Sequence, residues 1–176
     1  MHQVFTIGHS THAIDVFVGL LKRNGVTQLI DVRTIPRSRH NPQFEQTALE
    51  KSLPAAGIAY RHMKALGGLR PKIKGSVNMG WHNESFRNYA DYMQTDEFKQ
   101  ALRELIELSN QVPTVIMCAE AVPWRCHRSL IADALTVQGV TVKEIIGETE
   151  PKTHELTSFA HVRGTEITYP APATER

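Results

Sequence analysis

Apolar strand-like segments alternate with amphipathic helical segments along most of this chain. Five segments are rich in branched apolar residues and end at turn residues, as strands do: residues 4–10, 26–33, 58–63, 113–119 and 140–146. Helical periodicity lies between or after them, in residues 13–25, 43–56, 85–93, 95–109 and 126–138. The alternation predicts a Rossmann-like three-layer α/β sandwich with a mainly parallel five-stranded sheet. We expect the strand order 3-2-1-4-5, a common doubly wound arrangement.

The length of the chain, 176 residues, is typical of one domain that folds without crosslinks. We expect a single domain over residues 1–170 with a C-terminal β-hairpin, and a frayed tail over residues 171–176. The sequence contains no apolar run long enough for a membrane span and no secretory signal pattern at its N-terminus. It has two cysteines, which a reducing compartment keeps as thiols. These features predict a cytoplasmic location and no membrane partner.

Polar residues follow three of the predicted strands at their carboxyl ends, where ligands bind in open parallel sheets. The expected order places the binding crevice between strands 1 and 4. The helix that begins near Cys126 would direct its free N–H groups into that crevice, and such a helix terminus favours an anion. The candidate ligand-binding residues are therefore Gly8, Ser10, Asp31, Arg33, Arg125, Cys126, His127 and Arg128.

The candidate catalytic residues are Cys118, His9 and Glu120. A thiol near a helix N-terminus and arginines is a nucleophile or redox thiol, because positive charge favours the reactive thiolate. The alternative for Cys118 is a small buried apolar residue. Cys126 either resolves an oxidised Cys118, ligates a metal or is an ordinary helix residue. His9 and Glu120 are candidates for proton transfer, and their alternatives are a histidine that holds a turn and an acid that caps a helix.

Two further pairs have open interpretations. Asp31 and Arg33 share one face of strand 2, so they either form a structural ion pair or leave Arg33 to bind an anion. Gly67 and Gly68 indicate a tight turn with positive φ, or a backbone segment close to a ligand. We predict no metal and no cofactor, although Cys118, Cys126 and His9 would make an open three-ligand metal site if they converged.

Two basic loops, residues 33–40 and 61–74, contain no acidic residues. The net charge of +2 is too small to indicate a nucleic-acid partner by itself. Basic loops with an aromatic residue nearby, here Trp81, can follow phosphates and stack on bases. A nucleic-acid-binding module without catalysis is therefore the alternative function, and a solvated lid is the plainer interpretation of the second loop.

With these motifs in view, the chain resembles the bacterial family called domain of unknown function 488. The similarity extends from Thr6 to about Pro170 and rests on the segments GHS, LIDVR, LGG, YMQTDEF, CAE and CHR. The resemblance implies a compact α/β domain and no particular reaction. The positions that match the motifs of the family are Gly8, His9, Ser10, Asp31, Arg33, Pro36, Gly67, Gly68, Cys118, Glu120, Cys126, His127 and Arg128.

The chain also has a weaker similarity to rhodanese domains, in which a cysteine in an anion-binding loop carries a persulfide. The spacing departs from theirs, because six residues separate Cys118 from Arg125 and nine separate it from Arg128. The phosphatase spacing also fails, because Trp124 occupies the position of the arginine. We expect an α/β protein that binds a phosphorylated or otherwise anionic small molecule, and a cysteine-dependent transferase or hydrolase if it is an enzyme. Rhodanese-like sulfur transfer is one version of this hypothesis.

Overall fold

The computed structural model describes residues 2–172 of the chain, and its centre is one six-stranded sheet. Strands β1 to β5 run parallel, and β6 adds a short antiparallel edge. The strands are β1 Gln3–Gly8, β2 Gln28–Asp31, β3 Ala59–His62, β4 Thr114–Cys118, β5 Thr141–Ile145 and β6 Lys152–Thr153. This confirms the predicted mainly parallel α/β fold.

Helices cover both faces of the sheet, because successive side chains of each strand point to opposite sides. The helices are α1 Ile14–Arg23, α2 Gln46–Ala55, α3 Glu84–Tyr92, α4 Asp96–Gln111 and α5 Arg128–Val137. Phe17 of α1 and Leu53 of α2 pack in one core. Tyr89, Leu105 and Leu130 of the other three helices pack in the second core, on the opposite face.

The predicted strand order is wrong. The observed order is β3-β2-β4-β1-β5-β6, so β4 lies between β2 and β1. In the ladders, Cys118 pairs with Gly8 and Met117 pairs with Asp31. Strands β1 and β4 are both almost entirely buried, and a strand that is apolar on both faces carries no signal for which neighbour it takes. The carboxyl end of β4 therefore adjoins that of β2 as well as that of β1.

The C-terminal part of the chain forms the predicted hairpin, with strands β7 His161–Arg163 and β8 Glu166–Thr168. Gly164 begins its two-residue turn with a φ of 62°, which glycine adopts without strain. The two-residue strand β6 was not predicted, because it is too short to show periodicity. The tail predicted for residues 171–176 lies mostly outside the described residues.

The long glycine-rich loop after β3 is held to the rest of the protein by side chains. A short 3-10 turn, Lys64–Leu66, precedes it. Asp91 of α3 accepts hydrogen bonds from Ser76 and from Asn78, each at 2.7 Å. The amide oxygen of Asn78 accepts from the backbone N–H of Tyr169 at 2.8 Å. The loop therefore has fixed attachments to α3 and to the residue that follows the hairpin.

None of the helices within residues 2–172 is long and apolar enough to cross a membrane.

Candidate active site

Both cysteines lie at the carboxyl edge of the sheet. Cys118 ends β4, and Cys126 follows the short 3-10 turn Pro123–Arg125 in extended backbone. Their sulfur atoms are in direct contact, the arrangement of a disulfide pair, while their Cα atoms are 7.3 Å apart. Disulfides usually join Cα atoms about 4.4–6.8 Å apart. The separation is slightly wider than that range, so the two Cα atoms would lie closer together in a relaxed disulfide.

Arg128, the first residue of α5, has a fully buried side chain beside Cys118. Its Nη1 donates to the Cys118 sulfur at 3.0 Å and to the carbonyl oxygen of Glu120 at 2.7 Å, and Nη2 donates to the carbonyl oxygen of Ala121 at 3.2 Å. Among the described residues no carboxylate forms an ion pair with Arg128, and its Nε has no hydrogen-bond partner.

Burial lowers the pKa of Arg128 from 12.5 to about 10, against opposing contributions from Glu144 and Glu120. The guanidinium therefore stays protonated near neutral pH. A buried cation without a counter-charge is costly. A thiolate on Cys118 would supply that charge, and the guanidinium would in turn stabilise the thiolate, which is the nucleophilic form of cysteine.

His127 lies beside the other sulfur. Its Nε2 is 2.8 Å from the carbonyl oxygen of Val32, and a carbonyl only accepts, so Nε2 carries the hydrogen. Nδ1 then faces the Cys126 sulfur at 3.5 Å as an acceptor. Burial lowers the pKa of His127 to about 4, although the backbone carbonyls of Val32 and Leu66 act in the opposite direction. The ring is therefore neutral near pH 7, and its Nδ1 can accept a hydrogen bond from the Cys126 thiol.

Gly67 and Gly68 are required for close packing. A Cβ on Gly68 would lie 2.6 Å from Nδ1 of His127, and one on Gly67 would lie 2.7 Å from the Cα of Thr34. Neither glycine has a positive φ, so the expected turn with positive φ is wrong. The bare backbone of Gly68 instead lets the loop after β3 press against the imidazole ring.

The loop after β1 is hydrogen-bonded to the backbone at Cys118. The N–H of His9 donates to the carbonyl oxygen of Cys118 at 2.8 Å, and that of Ser10 donates to Ala119 at 2.9 Å. Ser10 has a φ of 47°, unusual for a residue with a side chain. A Cβ on Gly8 would overlap the carbonyl oxygen of Glu120, which accepts from Arg128. These residues position the backbone of residues 118–120 and do not line the cleft described below.

The His9 side chain is buried away from the two sulfur atoms. Its Nδ1 donates to the carbonyl oxygen of Ser10 at 2.8 Å, its Nε2 accepts from Arg33 at 3.4 Å, and its ring stacks on Phe44. Burial lowers the pKa of His9, with a further lowering by Arg33. This geometry corresponds to the interpretation of His9 as a residue that holds a turn.

Asp31 and Arg33 form a buried bidentate ion pair. Nε and Nη2 of Arg33 donate to the two carboxylate oxygens at 2.9 and 2.8 Å, and Nη2 also donates to the carbonyl oxygen of Phe44 at 2.7 Å. The Tyr60 hydroxyl donates to Asp31 at 2.6 Å. The guanidinium therefore has partners within the protein, and Asp31 and Arg33 form a structural ion pair.

A cleft of about 320 Å³ opens at this edge, between the ends of β2 and β4. Both cysteines are among its lining residues, although each is buried, with Cys118 2% and Cys126 6% exposed. Glu120 and Arg125 line it with exposed side chains, and within the described part of the chain neither side chain has a hydrogen-bond or ion-pair partner. Its lining includes Arg33, Gly68, Cys118, Glu120, Arg125 and Cys126.

The N-terminus of α5 differs from the expected anion site. The helix begins at Arg128, two residues later than predicted, and the N–H of Ser129 is bonded to the carbonyl oxygen of Cys126 at 3.0 Å. The N–H of Arg128 points at the Cys126 sulfur at 3.5 Å. The positive end of the helix is therefore directed at a thiol. Within residues 2–172, no three histidine, cysteine or acidic side chains are arranged to hold a metal ion.

A second buried polar cluster, which the sequence analysis missed, lies under the C-terminal segment. His154 places Nδ1 2.8 Å from Glu144 and Nε2 2.7 Å from Asp133. The hydroxyls of Thr157 and Tyr169 donate to the other oxygen of Asp133. Burial lowers the pKa of His154, but the hydrogen bonds to Asp133 and Glu144 outweigh it and raise the pKa to about 9. No short motif connects these dispersed residues.

The fold and the site define a mainly parallel α/β protein with a pair of cysteines, their sulfur atoms in contact, at the carboxyl edge of its sheet. The chain belongs to the family described as domain of unknown function DUF488, whose model matches residues 13–135. The motifs DVR, CAE and CHR lie within the match, and the segment GHS precedes it. The weaker similarity to rhodanese domains is not supported. No curated protein and no solved structure matches the chain.

Proposed function

We propose that the protein is a cysteine-dependent enzyme in which the thiolate of Cys118 attacks an anionic small molecule bound in the cleft. One observation carries the proposal: the buried guanidinium of Arg128 lies 3.0 Å from the Cys118 sulfur and has no carboxylate partner among the described residues. Perturbed charged groups of this kind concentrate at functional sites, because elsewhere their burial is compensated.

The cleft supports a small anionic ligand. Its volume of about 320 Å³ lies at the lower end of the range for small-molecule sites. The exposed Arg125 supplies a cation at its rim, and a guanidinium binds carboxylates and phosphates bidentately. Glu120 and His127 are the proton-transfer groups in this proposal, because His9 is hydrogen-bonded elsewhere.

A nucleic-acid-binding function has less support, since many cations of the two basic loops have intramolecular partners. Arg33 pairs with Asp31, and Arg61 pairs with Glu104 at 2.6 Å. Arg70 stacks on the ring of Tyr92 at 3.6 Å and donates to two backbone carbonyls. These contacts reduce the positive charge that is free to neutralise phosphates.

The proposal is tested by the alkylation rate of each thiol alone. In reduced Cys126→Ser, iodoacetamide should modify Cys118 near neutral pH about tenfold faster than it modifies a free cysteine peptide. Adding Arg128→Met should remove this advantage, and Arg128→Lys should retain part of it because the positive charge remains. Circular dichroism verifies the fold of each variant. A folded Cys126→Ser variant that reacts no faster than the peptide would overturn the proposal.

Anion binding is tested by comparing iodoacetate with iodoacetamide. The ratio of their rates should exceed that of a free thiol by about tenfold, because the guanidinium of Arg125 attracts the carboxylate. Arg125→Gln should return the ratio to the free-thiol value, and Lys74→Gln, an exposed cation outside the cleft lining, serves as its control. An unchanged ratio in Arg125→Gln removes this residue from the ligand site.

A further inference from the structure

The proposed function explains Cys118 but not the second sulfur. Cys126 touches the Cys118 sulfur, and two groups that favour its deprotonation lie near it: Nδ1 of His127 and the N–H of Arg128, each 3.5 Å from its sulfur. One is a proton acceptor, and the other is a donor at the positive end of α5. A single nucleophilic cysteine requires none of this.

We propose that Cys118 and Cys126 form a catalytic dithiol–disulfide couple that reduces small disulfides carrying an anionic group. Cys118 makes the first attack and Cys126 releases the product. The inference rests on the proposed function, because it requires the reactive thiolate of Cys118 and the guanidinium of Arg125 at the edge of the cleft.

In the first step, the Cys118 thiolate attacks one sulfur of the bound disulfide. A sulfur–sulfur bond forms between Cys118 and that half of the substrate, the original disulfide bond breaks, and the other half leaves as a thiolate. Arg128 stabilises the attacking thiolate, and Arg125 binds the anionic group at the rim.

In the second step, the Cys126 sulfur attacks the Cys118 sulfur while Nδ1 of His127 accepts the thiol proton, and the bond between Cys118 and the substrate breaks. The second half of the substrate leaves with the electron pair and takes the proton from His127 in the same step, because an imidazole with a pKa of about 4 does not retain it. The protein has then lost two electrons and holds a Cys118–Cys126 disulfide, while the substrate has become one thiol and one thiolate. A separate small dithiol then reduces the protein disulfide by the same kind of exchange, run in reverse.

The backbone around the two cysteines permits this cycle. The carbonyl oxygens of Cys118 and Ala119 accept hydrogen bonds from the loop after β1, so the Cys118 side is fixed. Cys126 follows the short turn Pro123–Arg125, in which Trp124 is 66% exposed. The approach of the two Cα atoms, from 7.3 Å into the disulfide range, is therefore made by the turn.

The experiment mixes the fully reduced protein with excess 5,5′-dithiobis(2-nitrobenzoate), an anionic disulfide whose thiol product is coloured. Wild type should release about two equivalents of the coloured thiol per chain, the second without dependence on reagent concentration, and its intact mass should show no adduct. Cys126→Ser should release about one equivalent and retain a stable mixed disulfide. Cys118→Ser should react more slowly in the first step.

His127→Gln keeps a side-chain hydrogen-bond donor near Val32 and removes the proton acceptor. It should slow the second release about tenfold more than the first, whereas a purely structural role of His127 would slow both steps alike. A stable adduct on rapidly reacting wild type would overturn the dithiol cycle and leave the proposed function intact. Slow reaction of both thiols would overturn the proposed function itself.

The substrate class is tested with two unactivated disulfides. Glutathione disulfide is anionic, and bis(2-hydroxyethyl) disulfide is neutral. Relative to a free cysteine peptide, Cys118 in the Cys126→Ser protein should prefer the anionic compound by about tenfold. Arg125→Gln in the same background should abolish that preference. If the ratio of the rates with the two disulfides is the same in both proteins, the assignment of an anionic substrate is contradicted.

Discussion

Two arginines are buried at the same edge of the sheet, and their charges are compensated in opposite ways. Arg33 is held bidentately by Asp31 and donates to the carbonyl oxygen of Phe44. Arg128 has no carboxylate partner among the described residues, and it donates to a sulfur and two carbonyl oxygens. Arg33 thus follows the usual pattern of a buried charge, whereas Arg128 departs from it.

The difference distinguishes a structural arginine from an arginine with a chemical role at the same edge of the sheet. A buried ion pair whose members satisfy each other is an internal support, and removing either partner leaves an uncompensated charge. A buried cation whose nearest titratable neighbour is a thiol has no such partner, and its effect is to change the reactivity of that neighbour. Four substitutions test this contrast, and their expected effects decrease in size.

Asp31→Asn should cause the largest loss of stability. It removes the counter-charge of Arg33 without changing the shape of the side chain, and breaking a buried ion pair costs about 3–5 kcal/mol. The measurement is the free energy of unfolding from urea titration. Glu104→Gln, which breaks the half-exposed pair with Arg61, is the control and should cost less than about 1 kcal/mol. Similar losses in the two variants would remove the distinction that we draw for Arg33.

His154 extends the comparison to a second compensated cation. Because its pKa in the folded protein is raised from 6.5 to about 9, its stabilisation is complete below pH 6.5 and is lost as the pH rises through about 9. The loss should be about 3 kcal/mol. The free energy of unfolding of wild type should therefore fall over this range relative to that of His154→Gln. Parallel pH profiles of the two proteins would contradict this assignment.

Gly68→Ala tests packing around the site rather than charge. The new Cβ would meet the His127 ring at 2.6 Å, and such overpacking costs about 1–3 kcal/mol. Displacing His127 should also slow disulfide closure more than it slows the first attack by Cys118. Gly19→Ala is the matched control, because a Cβ there meets nothing within 4 Å and alanine favours the helix by about 0.5–1 kcal/mol. If Gly68→Ala is as stable as Gly19→Ala, the close contact with His127 is not required.

Arg128→Met should cause the smallest change in stability, although this residue is the centre of the proposed chemistry. In a Cys118→Ser background, where no thiolate needs the guanidinium, the free energy of unfolding should change by about 1 kcal/mol or less. Urea titration of the single and double variants measures this difference. A loss as large as that of Asp31→Asn would show that Arg128 is a structural residue.

Much of the fold could be predicted from periodicity, because each strand and helix carries its own local pattern. Strand order does not follow from local periodicity. Strands β1 and β4 are both apolar on both faces, so their positions in the sheet depend on long-range packing. The start of α5 was misplaced by two residues because Cys126 and His127 allow either a turn or a helix. The spacing of Asp31 and Arg33 allowed either an ion pair or anion binding by Arg33, and only the tertiary structure shows the pair.

The candidate site was predictable only in position. The end of a central strand located Cys118 at the ligand-binding edge. The role of His127 depends on Val32 and Gly68, which are distant in sequence and give the ring its tautomer and its environment. Arg128 lacks a carboxylate partner within residues 2–172, and no sequence pattern reports such an absence.

The guanidinium of Arg128 also affects how the oxidised protein returns to its dithiol form. In the Cys118–Cys126 disulfide, Arg128 lies beside the sulfur that becomes a thiolate when the disulfide opens. A thiol whose thiolate is stabilised is a good leaving group in thiol–disulfide exchange. A dithiol that attacks the Cys126 sulfur should therefore displace Cys118 rapidly, and reduction of the protein should not limit the cycle.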